Sequence, residues 1–147
     1  MHIREMRVSY GKGVSVEGQK GPVSVKNGHD VAAMMTPLLE SEVAEVGYVL
    51  CLTTRMGVIG YHQMSRGSLD ATSMHPREVF RAAVLGNAAS IVLVHNHPSG
   101  EPTPSVDDVA VTTRIKDAGQ LMGIELLDHI IIGHEGRYYS FKEGGQL

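Results

Sequence analysis

Apolar and polar positions along the chain sort into a few recurring patterns. Residues 46–53 read Val-Gly-Tyr-Val-Leu-Cys-Leu-Thr and residues 58–64 read Val-Ile-Gly-Tyr-His-Gln-Met, with a turn from Thr53 to Gly57 between them. Two such runs joined by a short turn predict a β-hairpin. Ile91-Val92-Leu93-Val94 is short and continuously apolar, as in a central strand covered on both faces. Before it, Pro76 suits a first helical position, and Val79, Phe80, Ala83, Val84 and Ala88 recur at helical spacing. After it, Val109, Thr112, Ile115, Ala118, Leu121 and Met122 form the inner face of another helix, with Gly123 as its stop. Residues 124–132 predict a strand interrupted by Asp128-His129, 133–136 a turn, and 137–141 a last strand.

The start of the chain is less regular. Residues 3–10 alternate well enough for a strand, and Gly11, Gly13, Gly18, Gly21 and Pro22 then break the pattern into a loose arm or hairpin. Asn27-Gly28 is a turn signal. Asp30 is placed to cap a helix through residues 31–35, which Pro37 kinks or ends. The mixed order of strands and helices around one sheet predicts an α/β sandwich. Its expected division is an arm, strand and short helix over residues 1–36 and a main domain over 37–147.

Composition narrows the function classes. A chain of 147 residues, 42% hydrophobic and 20% charged, fits one ordinary globular domain. Its net charge is −3, and no basic cluster stands out, which weighs against sequence-independent nucleic-acid binding. With no Trp and two Phe, an aromatic platform for stacked bases is not expected either. No apolar run approaches the roughly 18 residues of a membrane span, and the first residues lack the apolar core of a signal peptide. A single cysteine, Cys51, excludes an internal disulfide and fits a reducing compartment, so a cytoplasmic location is expected. Cys51 lies inside the apolar run 48–52 and reads as a packing residue. His2, His29, His62, His75 and His134 have no metal-like neighbours in sequence and read as surface residues.

The chemistry concentrates in residues 95–108. His95 and His97 close the apolar strand, and residues i and i+2 of a strand face the same side. The Pro/Gly loop 98–104 follows, then Ser105-Val106-Asp107-Asp108, which resembles a capping box with Asp in place of Glu or Gln. Asp108 also suits the first helical turn, where the dipole favours a carboxylate. Two histidines and a carboxylate can hold zinc and leave a fourth position for water, the layout of a catalytic site. The cap and ligand readings of Asp108 are compatible.

Taken together, His-x-His-Pro followed by Ser-x-x-Asp resembles the JAMM signature of the JAB/MPN metalloprotease superfamily. His95-Asn96-His97-Pro98-Ser99-Gly100, Pro102-Thr103-Pro104-Ser105, Pro76-Arg77-Glu78-Val79-Phe80-Arg81, Asn87-Ala88-Ala89 and Leu127-Asp128-His129-Ile130-Ile131-Ile132-Gly133 resemble its RadC-like branch. That resemblance runs from about Glu45 to Ser140. It implies an α/β/α sandwich with a mixed central sheet, of cytidine-deaminase-like type, and a zinc ion held by His95, His97 and Asp108 with water as fourth ligand. It also implies an upstream glutamate as general base. Matching Leu52-Thr53-Thr54 to the family's strand end points to Glu45, with Glu42 as runner-up. Ser105 takes the remaining signature role, donation to an oxyanion.

The implied function is a zinc-dependent metallopeptidase or isopeptidase acting on a peptide or protein substrate. A DNA-repair-associated or nucleic-acid-processing protein using the same metal site is the alternative, and a binding module without catalysis is disfavoured because every signature residue is present. Many proteolytic members carry Ser or Thr where this chain has Asn96. The residues ahead of the resemblance are too few for the helix-hairpin-helix region of longer RadC-like proteins, so no DNA role of that region is carried over. Asn96 and Ser99 flank the histidines, and loop hydrogen bonding or substrate contact is open for both. His129 is either a satisfied core residue or an outer partner bonded to a ligand or to Asp128. Arg77 and Arg81, one helical turn apart, read as a solvated face. Substrate identity and oligomeric state are not legible.

Overall fold

The structure is a computed structural model that describes residues 3–5, 7, 9–13, 21–69 and 74–147. The elements run α1 (Gly28–Leu39), β1 (Val46–Leu52), β2 (Val58–Arg66), α2 (Pro76–Leu85), β3 (Ser90–Asn96), α3 (Val106–Met122), β4 (Glu125–Ile132) and β5 (Tyr138–Ser140). Five strands form one sheet in the order β2-β1-β3-β4-β5. Every neighbouring pair is antiparallel except β3 and β4, whose parallel pairing is made possible by the α3 crossover.

Alternation along the strands divides the core into two layers. Leu50 and Leu52 of β1 and Val92 and Val94 of β3 pack with Val31, Ala32, Met35 and Leu39 of α1. Val49 and Cys51 of β1 and Ile91 and Leu93 of β3 pack on the opposite face with Val79, Phe80 and Ala83 of α2 and Val111 and Ile115 of α3. This is the expected α/β/α sandwich with a mixed central sheet. β3 is buried along its whole length, which explains its unbroken apolar sequence. Burial also pushes the Cys51 thiol up to about 11, so it stays a small apolar group inside the sheet.

β4 carries the one irregularity that matters for the site. Ile91 pairs with Leu126 but Val92 pairs with Asp128, so Leu127 is an extra residue in β4. A bulge of this kind shifts every later side chain to the other face. Leu126 packs in the α2/α3 layer, whereas Ile130 and Ile132 pack in the α1 layer. His129 is therefore turned toward α3, in register with Leu93. The expected interruption at Asp128-His129 is not seen: both residues pair with β3, and the irregularity lies one residue earlier, at Leu127. Asp128 is held behind it, accepting hydrogen bonds from the His129 N–H, the Ser140 hydroxyl and the Lys142 N–H.

The start of the chain departs from expectation. The described residues among 3–10 carry no strand, and the first pairing among the described residues is a bridge between Ser24 and Gly57. The predicted cap Asp30 sits three residues inside: Asn27 caps α1 by accepting from the Asp30 N–H, and Asp30 accepts from the Lys26 N–H in return. Pro37 does not end α1, which continues to Leu39. Burial of Leu39 beside the sheet, at 1% exposure, holds the last turn in place despite the missing proline donor. The 36/37 boundary thus falls inside α1, whose inner face belongs to the same core as the sheet. β5 spans fewer residues than 137–141, and α2 ends before Ala88. Among the described residues no helix is long and apolar enough to cross a membrane.

Candidate metal centre

His95 is the penultimate residue of β3, and its parity with Ile91 and Leu93 turns it toward α3. His97 follows two residues later, its backbone N–H held by the Ile132 carbonyl at 2.9 Å. The loop then reverses at Gly100, whose φ of 87° suits glycine. Gly133 lies against this loop so closely that an added Cβ would meet the Gly100 carbonyl oxygen at 2.4 Å. Ser105 caps α3: its hydroxyl accepts from the Asp108 N–H, and the Asp108 carboxylate accepts from the Ser105 N–H at 2.8 Å. The capping box therefore fixes the very carboxylate that faces the two histidines.

Glu45 enters from the residue before β1. Among the described residues, Glu45, His95, His97 and Asp108 bring one ligand atom each within 4.8 Å of one another. His95 Nε2 lies 3.1 Å from His97 Nε2, 3.1 Å from Asp108 Oδ1 and 3.6 Å from Glu45 Oε1. His97 Nε2 lies 3.0 Å from Asp108 Oδ2. The runner-up Glu42 is elsewhere engaged, in a two-pronged pair with Arg66 at 2.9 and 3.0 Å.

The proton positions follow from the partners. His97 Nδ1 lies 2.8 Å from the Glu101 carbonyl, which only accepts, so Nδ1 carries hydrogen and Nε2 turns a lone pair inward. The two carboxylates add lone pairs of their own. A convergence of lone pairs suits a cation, and the two-His, two-carboxylate set suits zinc or a similar divalent ion. A proton can take the same place. The bond to Asp108 raises the His97 pKa above its ordinary value, against the opposing effect of burial. Burial by itself would raise Asp108, but the His95 and His97 imidazoles outweigh it and hold the carboxyl far below its usual range. Glu45 differs: burial raises it, against the opposing pull of His95. Asp108 is thus shifted toward the ionised form, while Glu45 is shifted toward the protonated one.

Asn96 points to the other face of β3. Its Oδ1 accepts from the Val46 N–H at 2.7 Å, and its Nδ2 donates to the Ala44 carbonyl at 3.0 Å. These two bonds bracket Glu45, whose own carbonyl accepts from the Gly67 N–H. The amide between the histidines is therefore a clamp on the glutamate segment, its oxygen accepting on one flank and its nitrogen donating on the other. Asn96→Ala leaves the buried Val46 N–H without a partner and is expected to cost about 1–3 kcal/mol, read from urea unfolding. Unchanged stability would show that the clamp contributes nothing to the fold. Ser99 is exposed and accepts from the Glu101 N–H, a loop bond outside the four-residue group. His75 caps α2 through its ring nitrogen, and His29, His62 and His134 are exposed.

A model of the RadC-like JAB domain matches residues 25–146. The chain belongs to the RadC-like JAB domain family. A UPF0758 protein of Thermotoga maritima is 46% identical over 109 residues, covering 74% of this chain and 47% of the relative. A UPF0758 protein of Clostridium perfringens is 47% identical over 121 residues, covering 82% of this chain and 53% of the relative. One of Pelobacter propionicus is 54% identical over 99 residues, covering 67% and 43%. The RadC-like chain spans about half the length of the curated relatives it matches. The matched span begins before α1, so helix, sheet and the four converging side chains all lie within the family domain.

Thr112 was legible only as an inner-face helix position. Its hydroxyl donates to the Asp108 carbonyl at 2.6 Å and lies 2.6 Å from His129 Nδ1. His129 Nε2 in turn lies 2.8 Å from His95 Nδ1. Of the two readings open for His129, the structure shows the bond to the histidine of the group. No sequence period signals this, because the bulge at Leu127 sets the facing.

Proposed function

We propose that the RadC-like chain is a zinc-dependent hydrolase of amide bonds, a metallopeptidase or isopeptidase. The observation that carries the reading is the unequal state of the two carboxylates facing the histidines. Asp108 is buried, capped and held ionised, as a ligand should be; Glu45 is half-buried, farther from His95 and raised in pKa, as a general base should be. His95, His97 and Asp108 would hold the metal, which when bound supplies Lewis acidity and brings the pKa of a water to about 7. Glu45 then accepts a proton at its carboxylate and delivers it to the departing amine. The Ser105 hydroxyl accepts its cap bond and so keeps its hydrogen free to donate to the substrate's developing oxyanion. Ser105 is exposed beside the buried Asp108, which supports a donor open to a substrate arriving from solvent.

Zinc and proton compete for His97 Nε2, which fixes the sign of the pH dependence. In the metal-free protein the raised His97 pKa contributes stability that is full below the ordinary histidine value and is lost as pH rises through the raised value. Zinc affinity runs the other way. It is expected to fall by about tenfold per pH unit once pH drops below the raised value, measured by competition titration. An affinity flat from neutral pH down to pH 5 would contradict the ligand role of His97.

The function is tested by offering the zinc-loaded chain peptide, isopeptide and DNA substrates side by side. Amide cleavage abolished by chelation is the expected result. Chelator-sensitive cleavage of DNA with no amide cleavage would contradict the proposal and favour the nucleic-acid alternative.

A further inference from the structure

We propose that Thr112 and His129 form a positioning relay that fixes the tautomer of His95 and so turns its Nε2 lone pair toward the metal. The inference rests on the metal-centre reading above and adds two residues that touch neither metal nor substrate.

The argument starts from a group that can only accept. The Asp108 carbonyl lies 2.6 Å from the Thr112 hydroxyl, so Thr112 spends its single hydrogen there. Its oxygen is then the acceptor for His129 Nδ1 at 2.6 Å, which must carry the ring hydrogen. His129 is fully buried and stacked on Phe141, with ring centroids 4.9 Å apart and planes 11° apart. With its ring hydrogen on Nδ1 given to Thr112, His129 presents Nε2 as an acceptor. The 2.8 Å contact from that nitrogen to His95 Nδ1 then requires the hydrogen on His95 Nδ1. Nε2 of His95 is left as a lone pair, 3.1 Å from Asp108 Oδ1 and 3.1 Å from His97 Nε2.

With a cation on His95 Nε2 this is the direction of donation that satisfies all three contacts, and the series closes on itself. Asp108 offers its carbonyl to the relay and its carboxylate to the centre, and the relay runs from one to the other through Thr112, His129 and His95. The two histidines of the centre are thus set by different means. His97 is set directly by the Glu101 carbonyl, at a partly exposed position where a loop can supply one. His95 is wholly buried in the sheet, where the neighbouring carbonyls are committed to strand pairing. A side-chain route from a helix carbonyl is the available solution there. The Leu127 bulge makes it possible by turning His129 onto the α3 face.

The relay makes a prediction about the protein with no metal present. Two-bond proton–nitrogen NMR on the full chain, labelled at histidine nitrogens and stripped of metal, should show His95 and His129 both as Nδ1–H tautomers. Thr112→Val removes the hydroxyl while keeping the side-chain shape. It should leave the His95 tautomer mixed and lower zinc affinity by about 10–100-fold, the usual effect of removing an outer partner of a metal ligand. Thr112→Ser keeps the hydroxyl and should restore both the tautomer and the affinity, which simple loss of packing would not do. His95 found as the Nε2–H tautomer in the metal-free wild type overturns the relay whatever zinc does. So does a folded Thr112→Val that binds zinc as tightly as the wild type. A wild type with the Nδ1–H tautomer and no zinc uptake overturns the metal reading instead, and with it the purpose assigned to the relay.

Discussion

Glu45→Gln is expected to keep zinc and to lower amide hydrolysis by about 10²–10⁴-fold, the range attributed to a positioned general acid–base group. Glutamine preserves the length and the hydrogen-bonding shape of the side chain but cannot take up a proton. The structure gives reasons to expect the metal to stay. Glu45 lies at the far side of the group, 3.6 Å from His95 Nε2, whereas Asp108 Oδ1 is at 3.1 Å. The backbone around Glu45 is held independently of its carboxylate, by Asn96 on both flanks and by Gly67. Kinetic constants and zinc content measured on the same sample separate the two roles. A variant that loses zinc along with activity would make Glu45 a fourth ligand and the site a closed, structural one.

Substitution at Asp108 is expected to have the largest effect on metal binding, and two variants divide its two duties. Asp108→Asn keeps an oxygen for the Ser105 N–H and should preserve the start of α3, while losing the charge that faces both histidines. Zinc affinity should drop by more than the roughly 10–100-fold that loss of an outer partner costs. Asp108→Ala removes the cap bond as well, adding about 0.5–2 kcal/mol of lost stability in the metal-free protein. Zinc titration and thermal unfolding of both variants check this. Equal metal-free stability of the two would show that the carboxylate contributes nothing as a cap, and near wild-type zinc affinity in Asp108→Asn would remove it from the ligand set.

Much of this centre is written locally, and local patterns are what a sequence displays. The i, i+2 histidines follow from strand parity, and Ser105 and Asp108 from helix capping, so both were legible within a stretch of fourteen residues. Glu45 was reached through family resemblance, since it lies fifty residues upstream of His95 with no period linking them. Asn96 was singled out only as a neighbour of the histidines and Thr112 only as an inner-face position, because each acts on a backbone group or ring supplied by another element. His129 stayed ambiguous because one extra residue in β4 decides which face it meets. The helix start at Asn27 was misplaced onto Asp30 because both residue types cap, and here the Asn27 side chain accepts from the Asp30 N–H. Pro37 was read as a stop because its cost is local, while the burial of Leu39 that offsets it is tertiary.

Zinc content of the purified chain, prepared without chelator and compared with His97→Ala, tests the central claim most directly. The expected result is about one zinc per wild-type chain and almost none in a folded His97→Ala. A wild type without zinc that also fails to take it up on addition, or a His97→Ala variant with undiminished zinc, would contradict the claim that His95, His97 and Asp108 hold the metal.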